Sequence, residues 1–291
     1  MKEFIEYNYN LICDELIALD DLLYFTYNDK YYIISSFERD EVEFDNIIKF
    51  LIINNIKFFN IVVNNRGNYI SEFDGKRYVL MTSDENNKII NFPMNDVVIL
   101  AKTNHWGDIW SERVLQLEKQ KNELQINKDI YYILNYYIGL IEICIFNYNF
   151  IIKKFGEVGM FSIQHNRMNV PIYSFSYYNP VNFLFDYRFR DLAEYLKVCF
   201  FKSEISIEET LNFVDKYSFD DFSINMFLVR LLYPTYFLEI YDLQNKDVID
   251  SNLISDLIKK SSQYENFILD LVKILSSNFN VVVKFPFICR R

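Results

Sequence analysis

The sequence predicts an α+β fold of two lobes, in which a small β-rich lobe precedes a larger helical lobe. Two observations support this division. Short alternating segments separated by turn residues fill residues 1–82, whereas helical patterns dominate after Pro93. With 51% hydrophobic and 18% aromatic residues, the chain has enough apolar material for two cores. We therefore predict an N-lobe at 1–82, a hinge at 83–92 and a C-lobe at 93–291.

The N-lobe is predicted to contain a five-stranded antiparallel sheet and one helix. Its strands are LLYFTY, YYIISSF, NIVVN, YISEF and KRYVLM. Turns at Asn28-Asp29 and Asp74-Gly75 lie between strands, because these residue types tolerate positive φ. The helix is DEVEFDNIIKFLIINN, which has an acidic first turn and one apolar face. That face comprises Phe44, Ile47, Ile48, Leu51 and Ile52. The preceding segment, YNLICDELIALDD, fits either a strand or a short helix.

The C-lobe is predicted to be mostly helical. A helix can begin at Pro93, and MNDVVILAKTNH after it has periodic apolar positions. WGDIWSERVLQLEKQKNELQ is predicted as an amphipathic helix. DIYYILNYYIGLIEICIFNYNFII is apolar nearly all round, which indicates a central buried helix. Residues 156–187 contain glycines and prolines in loop-like surroundings. Helical patterns return in RDLAEYLKVCF, SIEETLNFVDKY, SINMFLVRLLYPTYFLEIY and NLISDLIKKSSQYENFILDLVKIL.

Composition excludes several classes of protein. The net charge is −10 and no long basic cluster occurs, which argues against a nucleic-acid partner. The four cysteines are far apart and are predicted to be reduced, buried thiols of a cytoplasmic protein. They are Cys13, Cys144, Cys199 and Cys289. We expect neither a signal peptide nor a transmembrane helix, since no apolar run reaches ~20 residues. Frequent Ile, Asn, Lys, Tyr and Phe are typical of an AT-rich genome.

The order of predicted elements resembles the kinase-like layout. The chain is similar to the aminoglycoside phosphotransferase branch of that superfamily, and most closely to its spore-coat-associated, CotS/YutH-type subfamily. The segments that carry the resemblance occur in the expected order over about residues 20–240. They are KRYVLM, LAKTNHWGDIWSERVLQLEK, YYIGLIEICI, YNPVNFLFDYRFRDLAEYLK and RLLYPTYFLEI. The resemblance implies a bilobed protein-kinase-like fold and, in active members, phosphotransfer from ATP with Mg²⁺.

Active members need a glycine-rich loop and a strand lysine to hold the phosphates, and this sequence lacks both. No glycine occurs before Gly67, so a loop through which backbone N–H groups approach phosphate is missing. The resemblance places the lysine position on Ser35 or Ser36. The helix carboxylate that would pair with the lysine falls on Glu41 or Glu43. Without that partner, both are predicted to be solvated acids of the first helical turn.

The catalytic loop of the family has an H-G-D or H-R-D pattern, and here the matching segment is QHNRM. His165 matches the histidine, so Arg167 stands where the catalytic aspartate belongs. An arginine stays protonated at neutral pH and cannot serve as the general base. As an alternative to any catalytic role, His165 is an ordinary hydrogen-bonding residue.

The resemblance places the metal-binding aspartate at Asp186 in FLFDY, with Asn169 or Asn182 as an assisting ligand. As an alternative, Asp186 pairs with one of the neighbouring arginines, Arg188 or Arg190.

The next acidic motif along the chain is RDLAEY, whose aspartate is Asp191. Asp191 follows Asp186 at a shorter distance in sequence than in active relatives. Asp191 is predicted to be a structural anchor that caps its helix or bonds the loop carrying His165.

These features lead us to expect a kinase-fold protein with degenerate catalytic motifs. By resemblance, it is a non-catalytic binding or assembly protein of a spore-forming bacterium, cytoplasmic and deposited on the spore coat. Other proteins, namely spore coat components, are its expected partners, and no cofactor is expected. The alternative is an active or atypical phosphotransferase that uses ATP and Mg²⁺ on a small hydroxylated molecule or a protein. A third interpretation is a pseudokinase that keeps a nucleotide as a structural ligand.

Overall fold

The structure is a computed structural model that describes most of the 291 residues. The described ranges are 1–19, 22–93, 97–102, 106–123, 128–203, 205–243 and 251–285. The chain forms two compact units. The first unit comprises Met1–Val97 and Ile163–Phe185, and the second comprises Val98–Ser162 and Asp186–Arg291. The first boundary falls after Val97, beyond the hinge predicted at 83–92. Residues 163–185, which were predicted as part of the C-lobe, belong to the first unit.

A six-stranded antiparallel sheet forms the centre of the first unit. The strands are β1 (Ile17–Leu19), β2 (Leu22–Tyr27), β3 (Lys30–Ser36), β4 (Asn60–Val62), β5 (Ile70–Phe73) and β6 (Lys76–Ser83). Their order is β1-β2-β3-β6-β4, and β5 also pairs with β6. The predicted count of five was wrong because β1 has only three residues and lies where the sequence left strand and helix open. The prediction also omitted the helix α1 (Lys2–Tyr9), which buries Phe4, Ile5 and Tyr9.

Both predicted turns are confirmed. Asn28 and Asp29 have φ values of 49° and 58° and join β2 to β3. Asp74 and Gly75, with φ values of 52° and 69°, join β5 to β6. Two consecutive residues of positive φ match the twist of antiparallel strands, so these two-residue turns fix the register of both hairpins.

Helix α2 (Glu41–Ile53) begins where the acidic turn predicts. The carboxylate of Asp40 accepts a hydrogen bond from the Glu43 backbone N–H at 2.9 Å and caps the helix. The predicted apolar face is buried at four of its five positions; these are Phe44, Ile47, Ile48 and Leu51. The fifth, Ile52, is 61% exposed.

Residues 163–185 complete the first unit. Strand β7 (Ile89–Ile90) pairs with β10 (Ile172–Tyr173), and the short helix α5 (Ser174–Tyr177) follows. A single 3-10 turn, Pro180–Asn182, then leads into strand β11 (Phe183–Tyr187).

The second unit contains strand β8 (Ile99–Lys102), which pairs with β9 (Val158–His165). In the three-stranded sheet the order is β11-β9-β8. The helix predicted from Pro93 was wrong at residues 99–102, which form a strand. The apolar run VVIL is too short to distinguish the periodicity of a helix from that of a strand, and its β-branched residues favour a strand. Residues 94–96 and 103–105 of that predicted helix lie outside the described residues.

Seven helices described in the second unit carry most of its core. They are α3 (Trp106–Glu123), α4 (Lys128–Phe155), α6 (Arg190–Ser203), α7 (Ile207–Lys216), α8 (Asp221–Leu232), α9 (Thr235–Leu243) and α10 (Ser251–Leu275). The prediction that α4 is buried was wrong for part of its surface, since its Tyr132 and Phe146 are 60% and 51% exposed. Helix α8 is buried at every position from Phe222 to Leu232.

The thiols of Cys13, Cys144 and Cys199 are buried and form no disulfide. Burial raises the pKa of each of the three thiols, which disfavours the reactive thiolate. Cys289 lies outside the described residues. Among the described helices, none is both long enough and apolar enough to cross a bilayer.

Candidate functional site

The predicted lysine position is occupied by a buried serine in the first unit. Ser35 on β3 is 5% exposed, and its hydroxyl accepts a hydrogen bond from the Asn179 amide at 3.1 Å. Asn179 is fully buried, and its side-chain Oδ1 accepts a hydrogen bond from the Val181 N–H at 3.0 Å. Ser36, on the opposite side of the strand, is exposed. Ser35 therefore makes a neutral hydroxyl–amide contact at a position where the resemblance predicts the lysine of active members.

The two helix acids pair with arginines rather than with a strand lysine. Glu43 lies 2.5 Å from the Arg39 guanidinium, and Glu41 lies 3.1 Å from that of Arg77. Both carboxylates are exposed, as predicted for first-turn acids. Arg39 also donates to the backbone carbonyls of Val181 and Phe183. These bonds attach the start of α2 to the segment 181–183. Glu43 pairs with the arginine that makes them, so it has a structural contact in this place.

His165 is packed inside the first unit at the end of β9. The residue is 4% exposed, and its Nε2 lies 2.9 Å from the Tyr177 carbonyl oxygen. Its ring centroid is 4.2 Å from that of Tyr177 and 4.9 Å from that of Phe183. Arg167, which the resemblance matches to the catalytic aspartate, is exposed. The geometry of His165 fits the predicted hydrogen-bonding alternative.

The segment after β6, predicted as the hinge, is hydrogen-bonded by residues from much later in the chain. The Ser174 N–H donates to the Lys88 carbonyl at 2.9 Å, and the Lys88 N–H donates to the Ser174 hydroxyl at 3.1 Å. The Phe175 N–H donates to the Asn87 side chain at 3.1 Å. These bonds occupy both backbone groups of Lys88, and residues 89 and 90 form a short antiparallel pairing with β10.

Phe175 places its ring against the sheet of the first unit. The residue is fully buried, and its ring centroid lies 5.4 Å, 5.9 Å and 5.8 Å from those of Tyr24, Tyr31 and Phe59. Edge-on aromatic contacts of this kind add to the energy of apolar burial. This contact has no local signature, because residues 24 and 175 are far apart in the chain.

The candidate metal ligand Asn182 is half-buried, and its backbone is hydrogen-bonded to Asn179 and to Asn166. Its N–H donates to the Asn179 carbonyl at 3.1 Å, and its own carbonyl accepts the Asn166 N–H at 2.7 Å. Asn169, the other assisting candidate, is exposed.

Asp186, the candidate metal ligand of the second unit, is 5% exposed and hydrogen-bonded at both oxygens. One oxygen accepts the Trp106 indole N–H at 3.1 Å and lies 3.2 Å from Arg190 Nε. The other accepts the Tyr187 N–H at 2.7 Å. Burial raises the pKa of Asp186, against the attraction of Arg190 and Arg230. Among the described residues, no group of three His, Cys, Asp or Glu side chains is arranged to hold a metal ion.

Asp191 lies in the first turn of α6 and is 6% exposed. Its carboxylate is 3.7 Å from the Arg190 guanidinium. An acid at this position interacts favourably with the helix dipole.

We expect Asp191→Ala to lower the free energy of unfolding by about 1 kcal/mol or more, because the variant loses these interactions in a buried setting. Thermal unfolding measures the change. Asp215→Ala, on an exposed position of α7, serves as the control and should differ little from the wild type. A melting temperature of Asp191→Ala equal to that of the control would contradict the anchor role.

Sequence inspection missed a buried ionic cluster on α6, α8 and α9. Lys197 is 1% exposed and donates to Glu194 at 3.1 Å, to the carbonyls of Arg230 and Tyr233 at 2.9 Å and 2.7 Å, and to the Thr235 hydroxyl at 2.9 Å. Glu194 also accepts from Arg230 Nε and from the Thr235 hydroxyl, each at 2.6 Å. A Glu and a Lys three residues apart among apolar helix positions in RDLAEYLK were the available signal.

The cluster keeps Glu194 charged inside the protein. Burial alone would raise the pKa of Glu194, but Lys197, Arg230 and the Thr235 hydroxyl outweigh burial and lower it to about 2. Burial lowers the pKa of Lys197 to about 8, although Glu194 opposes this change. The cluster thus connects three helices through a fully paired carboxylate.

Residues 90–271 match the profile of the family described as "Spore coat putative kinase YutH". The match covers well over half of the chain. The chain belongs to this family. Among curated protein sequences, none matches it.

Solved structures establish the fold of this YutH-family chain. An aminoglycoside phosphotransferase from Alicyclobacillus acidocaldarius superposes with a TM-score of 0.59 at 9% identity, covering 95% of this chain and 96% of that one. Spectinomycin phosphotransferase APH(9)-Ia, solved with ADP and spectinomycin, gives 0.53 at 11% identity, with 90% and 92% covered. Amicoumacin kinase hAmiN, in complex with AMP-PNP and Ca²⁺, gives 0.50 at 11%, with 99% and 96% covered. The predicted kinase-like, aminoglycoside-phosphotransferase-like α+β fold is confirmed.

Proposed function

We propose that this kinase-fold protein is a non-catalytic binding or assembly component of the spore coat. The observation that carries the proposal is the environment of Asp186. Phosphotransfer in this fold needs an aspartate that binds Mg²⁺ at the transferred phosphate. Here the carboxylate is buried, salt-bridged to Arg190 at 3.2 Å and hydrogen-bonded by Trp106. A guanidinium already neutralises the group that would otherwise bind the metal ion.

The first unit supports the same proposal independently. By resemblance, Ser35 or Ser36 takes the position of the phosphate-binding lysine, and Arg167 takes that of the general base. Neither a hydroxyl bonded to Asn179 nor an exposed guanidinium supplies the chemistry that is needed there. The alternative, an active phosphotransferase, would need other residues to replace a base, a lysine and a metal ligand together.

Contacts at the predicted hinge argue against a structural nucleotide as well. A ligand base needs an apolar slot lined by a few free backbone donors and acceptors. The chain's own Ser174 and Phe175 bond residues 87 and 88, and β10 pairs with residues 89 and 90. Since the protein itself bonds the Asn87 side chain and both backbone groups of Lys88, we propose that no cofactor binds and that the protein acts through its folded surface on other coat proteins.

Restoring the general base alone should not restore catalysis. We expect Arg167→Asp to show no ATP turnover above the wild type, because the lysine and metal positions are unsuitable too. Release of labelled phosphate from ATP with Mg²⁺ measures this, with an active aminoglycoside phosphotransferase as the positive control. Measurable turnover by Arg167→Asp would contradict the non-catalytic proposal.

The location is tested separately in sporulating cells. A fluorescent fusion of the full chain should collect at the spore surface and remain with purified spores after washing. A fusion that stays diffuse in the cell and is lost from purified spores would contradict the coat assignment, whatever the outcome of the ATP assay.

A further inference from the structure

An open apolar groove lies in the first unit, lined by helix α2, strand β4 and the segment between them; it is called the α2–β4 groove below. Its volume is about 480 Å³, enough for several side chains. The lining includes Ile48 and Leu51, which are buried, Ile52, which is 61% exposed, and Ile61 of β4. Ile52, the fifth residue of the predicted apolar face of α2, therefore belongs to an open apolar surface rather than to the core.

Strand β4 lies at the edge of the six-stranded sheet. Among the described strands it pairs only with β6, through residues 60–62 and 80–82. In an antiparallel ladder, alternate residues direct their N–H and C=O groups away from the partner strand, so β4 presents backbone donors and acceptors outwards. An unpaired edge beside an apolar groove fits one more strand, whose backbone bonds the edge and whose alternate side chains enter the groove.

The charge of this surface is opposite to that of the whole chain. Residues 46–71 supply every described residue of the lining. They contain three cations, Lys49, Lys57 and Arg66, and no Asp or Glu, whereas the chain as a whole has a net charge of −10. A segment that complements this surface is therefore acidic.

Lys57 places one of these charges in the groove itself. Its ammonium group lies 3.5 Å from the carboxylate of Glu85, and both side chains are more than half exposed. An exposed pair of this kind contributes little to stability, so Lys57 can exchange Glu85 for the carboxylate of a partner. Lys49 and Arg66 are exposed as well.

We propose that the α2–β4 groove binds an extended acidic segment of a partner protein, which adds to β4 as a further strand. Alternate side chains of that segment are apolar and fill the groove, and the others carry carboxylates that face the three cations. A second copy of this chain would bring the same cations against one another, which argues against that occupant. The inference deepens the proposed function and rests on it, because it names the surface through which the protein binds other proteins and the chemistry of the segment bound.

A fluorescein-labelled heptapeptide, EVEVEVE with blocked ends, is the probe for this surface. Fluorescence anisotropy with the full chain should show saturable binding with a dissociation constant below about 1 mM. Two matched peptides should each bind roughly tenfold more weakly. KVKVKVK reverses the charges, and the central proline of EVEPEVE removes a backbone donor from the added strand.

Variants of the protein locate the binding of EVEVEVE. Ile52→Asp should weaken it roughly tenfold, because the variant removes an apolar contact and adds a like charge. Leu115→Asp makes the same change at a 70% exposed position of α3 and should leave the affinity unchanged. Lys57→Gln should weaken binding roughly threefold. Lys273→Gln, at a 60% exposed side chain of α10, is its control.

Hydrogen exchange of the wild-type protein gives a second readout that needs no variant. EVEVEVE should slow the exchange of amides in residues 60–63. The proposal would be overturned by the absence of saturable binding, by equal affinities of Ile52→Asp and Leu115→Asp, or by protection confined to other segments. Self-association of the wild type that Ile52→Asp abolishes would also overturn it, since the edge would then belong to a second copy.

The spore-coat fusion separates this inference from the proposed function. Loss of peptide binding with a fusion that stays on purified spores rejects the α2–β4 groove as the docking surface and leaves the coat assignment standing. A diffuse fusion of a chain that binds EVEVEVE at residues 60–63 rejects the coat assignment and supports the groove.

Discussion

Replacing Glu194 by Gln is expected to destabilise the protein by about 3–5 kcal/mol. The variant leaves the buried Lys197 and Arg230 without the carboxylate that neutralises both. Breaking one partner of a buried ion pair costs this much because the remaining charges stay desolvated. Chemical denaturation with a two-state fit measures the difference.

A surface pair provides the matched control. Asp270 and Lys273 are 2.6 Å apart on α10, with side chains 49% and 60% exposed. Asp270→Asn should cost less than about 1 kcal/mol, since exposed ion pairs contribute little. Similar losses for Glu194→Gln and Asp270→Asn would show that the buried cluster does not stabilise the fold.

The pH dependence of stability tests the same cluster. The folded-state pKa of Glu194, about 2, lies below its ordinary value of 4.5, so the unfolded state binds more protons between these values. The contribution of Glu194 is therefore complete above pH 4.5 and is lost as the pH falls towards 2. Glu194→Gln should consequently show a flatter stability profile than the wild type in this window.

Phe175→Ala is expected to cost about 3–5 kcal/mol as well. The ring is fully buried among Tyr24, Tyr31 and Phe59, and its removal leaves a cavity that the sheet cannot fill completely. The substitution keeps the Phe175 N–H bond to Asn87. Denaturant unfolding therefore reports mainly the loss of the ring.

Two further variants make this result specific. Phe175→Leu retains much of the apolar volume and should lose distinctly less stability than Phe175→Ala. Phe146→Ala, at a 51% exposed position, should lose less than about 1 kcal/mol. A loss for Phe175→Ala no greater than for Phe146→Ala would contradict the view that this ring anchors the segment 172–178 to the sheet.

Local signals were sufficient for much of the first unit. The pairs Asn28-Asp29 and Asp74-Gly75 specify their own positive φ values, and the acidic turn with periodic apolar residues specifies α2. The family resemblance supplied the fold class. β8 was predicted as a helix because a four-residue apolar run does not distinguish the two periods, and only its pairing with β9 decides between them.

The contacts that define the candidate site could not be predicted in the same way. Ser35 with Asn179, and Phe175 with Tyr24, join residues that are distant in sequence, and neither pair has a local signature. The pairing of Asp186 with Arg190 was one of two arginine alternatives, and a sequence alone does not give the geometry that selects it. The position of α8 as the most buried helix also depends on packing rather than on periodicity.

Nucleotide binding is the most direct test of the central claim that this YutH-family protein has lost its kinase chemistry. Thermal unfolding of the full chain is measured with and without millimolar ATP and Mg²⁺, with an active aminoglycoside phosphotransferase as the positive control. A ligand at 100 times its dissociation constant stabilises a protein by about 2.7 kcal/mol, which corresponds to several degrees. We predict no shift for this protein with ATP, GTP or their diphosphates. A clear Mg²⁺-dependent shift would contradict the account, because it would mean that Asp186 exchanges Arg190 for a metal ion.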